Sequence, residues 1–218
     1  MNEENSIAKV INEIPKNLVS EIVVCNNGST DETGNVAKNA GATVLDELRK
    51  GYGWACLKGM EYASQLEKKP DIIIFIDGDY SDYPEEMFLL VQPILDDKAD
   101  MVIGSRALGK REKGSMTFPQ VFGNWLATRL MRLFHRARYT DLGPFRAIRY
   151  DSLMLLGMKD KTYGWTIEMQ IKAAKKKLRF TEVAVNYKKR IGISKVSGTV
   201  KGTILAGYKI ILTIFKFL

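Results

Sequence analysis

Two carboxylates separated by one glycine, Asp77 and Asp79, are the residues of this sequence whose types and spacing point most directly to chemistry. Alternation along an extended chain directs both side chains to the same side, and Gly78 lets the backbone turn between them without a Cβ clash. Two hard oxygen ligands suit Mg²⁺ or Mn²⁺, which shares its remaining positions with water and a substrate diphosphate. The structural alternative is a polar turn that leads into a helix near Pro84.

The strand before this pair determines where the pair lies. Residues 72–76 are apolar without interruption, which predicts a strand buried on both faces in the middle of a parallel sheet. Further strands are predicted at 21–25, 42–45, 100–106 and 180–187, and helices at 4–14, 31–39, 53–66, 84–92 and 120–134, with Pro93 bending or ending the fourth helix. This alternation predicts an α/β fold with a doubly wound, mostly parallel sheet. Ligands of such sheets bind beyond the carboxyl ends of the strands, where both carboxylates lie.

The totals describe one globular domain of ordinary size, with 218 residues of which 45% are hydrophobic. The formal net charge of +8 favours anionic partners, either nucleoside diphosphates or phospholipid head groups, and no nucleic-acid motif accompanies the charge. Cys25 and Cys56 form no C-x-x-C pair, which fits a reducing, cytosolic setting. Residues 1–5 are acidic and polar, unlike a signal peptide.

A series of short motifs, in order along nearly the whole chain, resembles the family 2 glycosyltransferases of GT-A fold, and within them the polyprenyl-phosphate (dolichyl-phosphate) sugar transferases. The motifs are N-E-E at 2–4, N-N-G-S-T-D at 26–31, G-Y-G-W-A at 51–55, D-G-D at 77–79, G-S-R at 104–106, D-L-G-P-F-R at 141–146, W-T-I-E-M at 165–169 and R-I-G-I-S-K at 190–195. The resemblance implies a GT-A, Rossmann-like sheet flanked by helices. Because the chain begins within the turn that follows the family's first strand, we expect that strand to be absent.

The resemblance also implies an inverting transfer of a hexose from a nucleoside diphosphate sugar, of the UDP-glucose or GDP-mannose type, with Mg²⁺ or Mn²⁺ as cofactor. The implied metal ligands are Asp77 and Asp79, and the implied substrate-binding residues are Glu3, Asn26, Asn27, Asp31, Gly51, Gly53, Asp77, Trp165, Glu168, Arg190 and Lys195. Asn26 stands where the family has an aspartate that accepts a hydrogen bond from the base. Its amide oxygen can still accept that bond, without the assistance of a charge.

Structural alternatives remain open for these donor-side residues. A turn and a helix cap account for 26–31 without a ligand, Glu168 can be an ordinary carboxylate on a helix face, and 188–195 can be a solvated basic loop. The resemblance instead implies that this basic loop folds over the donor diphosphate, where closure excludes water.

The implied catalytic residues are Asp141, Arg106 and Arg146, and their roles depend on the acceptor. A lipid phosphate is largely ionised at neutral pH, because its second pKa is about 6, so it needs cations such as the two arginines rather than a base. A sugar or small-molecule hydroxyl needs a positioned carboxylate, for which Asp141 is the candidate. A buried Asp–Arg pair that holds a loop is the structural alternative. A non-catalytic protein that binds nucleotide sugars is the alternative of another class.

The segment 199–218 is strongly apolar, and Lys201, Lys209 and Lys216 fall within ~80° of one another on a helix. We therefore divide the chain into a catalytic domain, 1–198, and a C-terminal amphipathic helix, 199–218. The lysines argue against a full membrane span. An interfacial helix, a helix packed on the domain and a contact between copies in a homo-oligomer remain open. The enzyme is expected in the cytoplasm, with peripheral contact at the inner face of the membrane if the helix is interfacial.

Three arginines, Arg129, Arg132 and Arg136, fall at spacings of three and four in the predicted helix 120–134 and its end, so they share one face. A solvated face and a contact with anionic lipid both explain them. His135 lies beside them and is interpreted as a surface side chain rather than a catalyst.

Overall fold

The computed structural model describes residues 1–194 and 198–218. The helices are α1 Ile7–Glu13, α2 Thr33–Asn39, α3 Tyr52–Gln65, α4 Met87–Leu95, α5 Phe118–His135, α6 Tyr150–Leu156, α7 Trp165–Lys175 and α8 Val200–Lys216. The strands are β1 Val23–Asn27, β2 Thr43–Glu47, β3 Ile72–Phe75, β4 Met101–Ser105, β5 Arg146–Arg149 and β6 Phe180–Ala184. A short 3₁₀ turn, Pro84–Glu86, precedes α4.

The strands form two open sheets. β1 pairs with β2 in parallel, while the other four strands lie in the order β3-β5-β4-β6. In the larger sheet β5 runs antiparallel to both of its neighbours, and β4 and β6 are parallel. The predicted α/β class with flanking helices is confirmed. Within residues 1–194 no strand precedes β1, and none joins β1 to β3.

The predicted place of β3 in the middle of a parallel sheet is wrong. Ile72 to Phe75 pairs with β5 alone, in antiparallel orientation, and all four residues are half-buried. An apolar run indicates that helices cover both faces of a strand, but it carries no information about which strand lies beside it.

Pro93 does not end its helix, since α4 continues through it to Leu95. A proline inside a helix removes one hydrogen bond. Here Leu90 and Ile94, on either side of it, are both fully buried, and this burial offsets the loss.

The sequence patterns did not predict β5 or α6. β5 begins and ends with arginine, so the four residues show no apolar run and no apolar–polar alternation that would predict a strand. Ala147 and Ile148 between the arginines are nevertheless fully buried. The signal was weak because only two residues of the strand carry it.

The core lies on both faces of the larger sheet, and alternation along β4 shows the two layers. Met101 and Ile103 face a layer formed with α5, α7 and Ile214 of α8, while Val102 faces a layer formed with α1 and α4. This packing fixes the direction of the strands, and with it the loops at their carboxyl ends.

Replacing Leu90 with alanine will lower the free energy of unfolding by about 2–5 kcal/mol, because it leaves a cavity in the layer beneath α4. Leu95→Ala, in the same helix, is the matched control: its side chain is 64% exposed, so a change within about 0.5 kcal/mol is expected. Urea denaturation followed by circular dichroism measures both. Equal losses would show that α4 does not pack on the sheet in this orientation.

Candidate active site

The ends of three strands meet at one edge of the larger sheet. β3 and β4 both run antiparallel to β5, and β6 is parallel to β4, so the carboxyl ends of β3, β4 and β6 point the same way. Asp77 and Asp79 follow β3, Arg106 follows β4, and Arg190 lies in the segment after β6. Asp141 joins them from the loop before β5. The sheet thus gathers acidic and basic side chains from distant segments at the edge where ligands bind.

Asp79 lies in a network of short polar contacts and is 7% exposed. Its Oδ1 accepts hydrogen bonds from the backbone N–H and the hydroxyl of Ser81, and its Oδ2 is 2.9 Å from Nη1 of Arg190. Burial raises the pKa of Asp77 to about 7, and the Asp79 carboxylate acts in the same direction, while Arg106 and Arg190 oppose the shift. The charge of Asp79 thus adds to the cost of ionising Asp77, and the two arginines reduce that cost.

Arg190 links this pair to the start of the chain. Its Nη2 lies 2.7 Å from Oε1 of Glu3, while its Nη1 bonds Asp79, so one guanidinium bridges two acids. The backbone N–H of Ile191 also donates to the carbonyl of Asp79, and that of Lys188 donates to the carbonyl of Ser81. The segment after β6 therefore lies directly against the loop that carries the two carboxylates.

Glu3 is held in place by the first turn of the chain. The hydroxyl of Ser6 bonds both Glu3 and the carbonyl of Gly78, which ties the beginning of α1 to the loop after β3. Burial raises the pKa of Glu3, and Arg190 opposes that rise.

Arg106 and Asp141 form a buried bidentate ion pair. Nε of Arg106 donates to Oδ2 at 2.8 Å and Nη2 to Oδ1 at 2.7 Å, and the backbone N–H of Arg106 also donates to Oδ2 at 2.7 Å. Asp141 is 1% exposed, and the guanidinium of Arg106 lies over the ring of Tyr187 at 5.0 Å. Burial disfavours the charged guanidinium, but the carboxylate more than compensates and raises the pKa of Arg106. Both oxygens of Asp141 are therefore engaged by one arginine.

Asp82 belongs to the same cluster, although sequence reasoning did not select it. It is 1% exposed, and neither carboxylate oxygen has a hydrogen-bond partner in the described part of the chain. Burial, and then the charge of Asp77, raise the pKa of Asp82 well above its ordinary range. Its only sequence signal was its position three residues after Asp79.

The residues predicted to bind the base and ribose lie at the end of β1 and in the loop that follows it. The side-chain amide of Asn26 donates to Oδ1 of Asp46 at 2.8 Å, while its own Oδ1 is buried without a partner among the described residues. Asp31 accepts hydrogen bonds from the backbone N–H groups of Glu4 and Thr33. A buried hydrogen-bond acceptor without a partner costs free energy. The side-chain oxygen of Asn26, which is predicted to accept a hydrogen bond from the base, is such an acceptor.

Asn27 fixes the loop that carries the two glycines. Its amide group donates to the carbonyls of Glu47 and Arg49, and its Oδ1 accepts from the backbone N–H of Gly51 at 2.9 Å. This residue therefore positions the loop between β2 and α3.

Gly51 and Gly53 have a packing reason that the sequence did not reveal. Gly51 has a φ of +148°, and a Cβ at Gly51 or Gly53 would lie 2.3 Å from the carbonyl oxygen of Lys161 or 2.1 Å from that of Asp160. The start of α3 thus packs against the backbone of 160–161. Their predicted approach to a nucleotide stays a prediction.

Arg146 does not join the charged cluster. It is 1% exposed, and its guanidinium donates to the carbonyls of Leu142, Gly143 and Thr166. Burial lowers its pKa. In this structure the predicted contact between Arg146 and an acceptor phosphate is blocked, because the side chain instead holds the loop that carries Asp141.

Glu168 also serves the protein itself. It is 2% exposed, accepts from the backbone N–H groups of Lys159 and Asp160, and pairs with Lys172 at 2.7 Å. The structural alternative of a helix carboxylate therefore describes it in this structure, and its oxygens do not reach the cluster.

Trp165 is 1% exposed and packs edge-on against Phe75 of β3, with ring centroids 6.3 Å apart. It therefore contributes to the core beside β3 and does not line an open site. Lys195 lies outside the described residues. Nε2 of His135, a residue set aside as a catalyst, donates a hydrogen bond to the carbonyl of Ile214.

The two carboxylates of Asp77 and Asp79 suit a divalent cation. Asp79 already binds a positive group, Arg190, and the repulsion between the two acids indicates that a positive charge stabilises both. Among residues 1–194 and 198–218 no cluster of three or more histidine, cysteine or acidic side chains has the arrangement of a complete metal site. Two protein ligands leave the remaining positions to water and phosphate oxygens, as Mg²⁺ prefers.

Of the helices in the described part of the chain, none has the length and hydropathy that a membrane crossing requires.

Comparison with known proteins places these observations in a family. The family model described as "Glycosyl transferase family 2" matches residues 1–157. An uncharacterized glycosyltransferase of Mycobacterium tuberculosis is 35% identical over 94% of this chain and 90% of its own length. The undecaprenyl-phosphate mannosyltransferase of Micrococcus luteus is 28% identical, over 84% of this chain and 78% of its own.

Solved structures share the fold. The crystal structure of glucosyl-3-phosphoglycerate synthase from Mycobacterium tuberculosis in complex with Mn²⁺, uridine-diphosphate and glucosyl-3-phosphoglycerate superposes with a TM-score of 0.76. The match covers 100% of this chain and 76% of that chain at 22% identity. The likeness confirms the predicted GT-A architecture.

Replacing Asp77 with asparagine will make the metal-free protein more stable at alkaline pH than the wild type. The pKa of Asp77 is about 7 in the folded protein against an ordinary value of 3.8, so between these values the folded state keeps a proton that the unfolded state has lost. This group therefore lowers the wild-type free energy of unfolding by at most about 1.4 kcal/mol per pH unit across that window. Above the window the effect is constant.

The measurement is urea denaturation in the presence of a chelator from about pH 4 to about pH 8. The advantage of Asp77→Asn should be near zero at the acid end and grow until about pH 7. Asp151→Asn, an exposed residue in the first turn of α6, is the control and should follow the wild-type pH dependence. A constant difference at every pH would show that Asp77 ionises normally.

Proposed function

This chain belongs to glycosyl transferase family 2, and we propose that it transfers a hexose from a nucleoside diphosphate sugar to a polyprenyl-phosphate-like acceptor, with inversion at the sugar carbon. The donor is of the UDP-glucose or GDP-mannose type. The observation that carries the proposal is the engagement of both oxygens of Asp141 by Arg106, because it leaves Asp141 without a free oxygen to act as a base and holds a cation beside the loop that precedes β5. The relationship to an undecaprenyl-phosphate mannosyltransferase supports the same acceptor.

On the donor side, Asp77 and Asp79 would hold Mg²⁺ or Mn²⁺, which neutralises charge on the departing diphosphate when bound. The complexes of glucosyl-3-phosphoglycerate synthase with Mn²⁺ and uridine-diphosphate support this choice of cofactor. Asn26 offers its unpaired Oδ1 to a base N–H, and Asn27 and Asp31 keep the surrounding loops in place.

Arg190 acts at the boundary between the donor and the acidic pair. In the described structure its guanidinium forms ion pairs with Glu3 and Asp79. A metal ion bound to Asp79 would compete with Arg190 for the same carboxylate. We propose that Arg190 turns toward the diphosphate when the donor binds and that the segment after β6 covers the donor from water. Glu3 then remains as the partner that keeps the guanidinium at the site.

On the acceptor side, a phosphate monoester is largely ionised at neutral pH, so it attacks without losing a proton to the protein. Arg106 is the cation nearest to Asp141, and we propose that it binds and orients the acceptor phosphate. Asp141 is a positioning residue in this reading, because both of its oxygens hold Arg106. Arg146 and Glu168 support the loops around the site.

A hydroxyl acceptor on a saccharide or small molecule is the second candidate. The observation that favours it is that a protein of the same fold, glucosyl-3-phosphoglycerate synthase, is known in complex with phosphoglyceric acid. In this case Asp141 would have to leave Arg106 in order to accept a proton, which the burial of the pair opposes.

Asp79→Asn will weaken the donor site. Removing the ligand that binds both Arg190 and the cation should weaken Mn²⁺-dependent UDP binding by on the order of 100-fold. Titration calorimetry with UDP measures binding, and release of nucleotide from UDP-glucose and GDP-mannose measures turnover. Asp151→Asn is the matched control, since it removes the same charge from an exposed helix. Full Mn²⁺-dependent binding by folded Asp79→Asn would contradict the metal assignment.

Asp141→Asn distinguishes the two acceptors. If Asp141 only positions Arg106, the variant loses affinity for a polyprenyl phosphate, so KM rises much more than kcat falls, and Arg106→Gln produces the same pattern. If Asp141 is the base for a hydroxyl, kcat falls by about 10²–10⁴-fold with little change in KM. Initial rates against acceptor concentration, with a short-chain polyprenyl phosphate and with saccharides, separate these outcomes. We expect the first pattern.

A further inference from the structure

The carboxylate of Asp160 organises the loop between α6 and α7. Its Oδ1 accepts hydrogen bonds from the backbone N–H of Thr162 at 2.8 Å and from that of Gly164 at 3.1 Å. Its Oδ2 lies 3.0 Å from Nζ of Lys209, which comes from α8. The side chain of Asp160 is 9% exposed and that of Lys209 is 36% exposed, so this ion pair is partly withdrawn from solvent.

α8 contacts the same loop at a second point. A Cβ at Gly164 would lie 2.7 Å from Oγ1 of Thr213 and 2.6 Å from Oδ2 of Asp160, which leaves room only for glycine. Thr213 lies one helical turn after Lys209, donates a hydrogen bond to its carbonyl and is 4% exposed. Residues four apart share one face of a helix. That face of α8 therefore contacts the loop at both Asp160 and Gly164.

The backbone of the same loop lies against the beginning of α3. A Cβ at Gly51 or Gly53 would overlap a carbonyl oxygen of the loop. The carbonyl of Lys161 also accepts a hydrogen bond from the backbone N–H of Trp54 at 3.2 Å. Because this contact joins backbone to backbone, rotation of a side chain cannot absorb a displacement of the loop. A shift of the loop would therefore move the beginning of α3.

The ring of Trp54 adds a side-chain contact between the same segments. The guanidinium carbon of Arg49 lies 3.6 Å from the ring centroid, and Nζ of Lys161 lies 4.6 Å from it. Arg49 comes from the segment between β2 and α3, and Lys161 comes from the loop after α6. A cation over the face of an aromatic ring is attracted to it. Trp54 thus connects the two segments through its ring as well as through its N–H group.

We propose that Lys209 is a positioning residue for the nucleotide sugar. Its ammonium fixes Asp160, the backbone of 160–164 follows, and Gly51 and Gly53 are held in place by that backbone. Lys209 acts through Asp160 and not by contact with the donor. The inference deepens the proposed function and rests on its donor site, because Gly51 and Gly53 are residues predicted to approach the donor.

The loss of the ammonium has a local consequence. Without Lys209, Oδ2 of Asp160 becomes a nearly buried negative charge without its cation, which is costly. A turn of the carboxylate toward water relieves that cost, but it also releases the N–H groups of Thr162 and Gly164 from Oδ1. The loop then loses the hydrogen bonds that shape it, while α8 continues to pack through Thr213 and its apolar side chains.

Titration calorimetry of the full chain with UDP and GDP, in the presence of Mn²⁺, tests the inference. Lys209→Met should weaken binding of the nucleotide that the wild type binds by about three- to tenfold. The KM for UDP-glucose or GDP-mannose should rise by the same factor, while kcat changes by less than about twofold. Lys209→Arg should restore the affinity, since a guanidinium can pair with the same carboxylate.

The matched control is Lys216→Met, which removes an exposed lysine from the same helix and should bind nucleotide as the wild type does. Circular dichroism confirms that each variant is folded. Unchanged nucleotide binding by Lys209→Met, or equal losses in Lys209→Met and Lys216→Met, would overturn the inference. So would a failure of Lys209→Arg to restore the affinity.

A double-mutant cycle with Asp160→Asn examines the pair itself. The amide oxygen can still accept hydrogen bonds from the loop, but the charge that pairs with Lys209 is gone. If the two residues act as one unit, the double variant loses no more nucleotide affinity than either single variant. Losses that multiply would show independent roles and contradict the inference.

Hydrogen exchange without nucleotide separates this inference from the proposed function. Exchange at 51–56 should be at least about threefold faster in Lys209→Met than in the wild type. Exchange at 87–95 should not change, because α4 belongs to the other core layer. A uniform increase would indicate a general loss of stability and overturn the inference, as would unchanged exchange at 51–56.

The wild type distinguishes the two failures. If it binds neither UDP nor GDP, the proposed donor site is refuted, and the role of Lys209 toward a donor is refuted with it. If it binds one of them and all the variants bind equally well, the positioning role alone is refuted and the donor site stands.

Discussion

The structure depends on the neutralisation of carboxylates confined at one edge of a sheet. Asp77, Asp79 and Glu3 converge there, and burial makes their charges costly unless a cation lies nearby. Arg190 supplies that cation to two of them at once. A site that already needs a positive charge is well suited to a metal ion and a diphosphate, because binding replaces one neutralising arrangement with another instead of creating a new one.

Around this cluster the chain uses ordinary structural devices to hold the loops. Arg146 donates hydrogen bonds to backbone carbonyls of the loop that carries Asp141. Glu168 accepts hydrogen bonds from backbone N–H groups of the loop at 159–160. Asn27 does the same for the loop before α3. Arg146 and Glu168 are buried, and all three side chains are engaged with the backbone, so the groups that remain to meet a substrate are those that pair with one another across segments.

The helices also have two roles. α5 packs Ala127 and Met131 into the core and has exposed aromatic rings on its outer side. Its Asn124 also donates a hydrogen bond to the carbonyl of Thr140, next to Asp141. A rigid helix that contacts both the loop and an outer surface can transmit the position of one to the other. The architecture therefore joins a polar site at the sheet edge to an apolar surface without a separate domain.

The sequence by itself determined the alternation of strands and helices, the family, and the placement of Asp77, Asp79 and Arg106 after strands, because these follow from local periodicity and short motifs. It did not determine that β5 lies antiparallel between β3 and β4, or that Asp82 is buried without a partner. Only the tertiary structure decided that Arg190 bonds Glu3, 187 residues away, while Arg146 bonds carbonyls. The physical reason is that the partner of a buried polar group comes from segments distant in the chain, and local patterns contain no record of them.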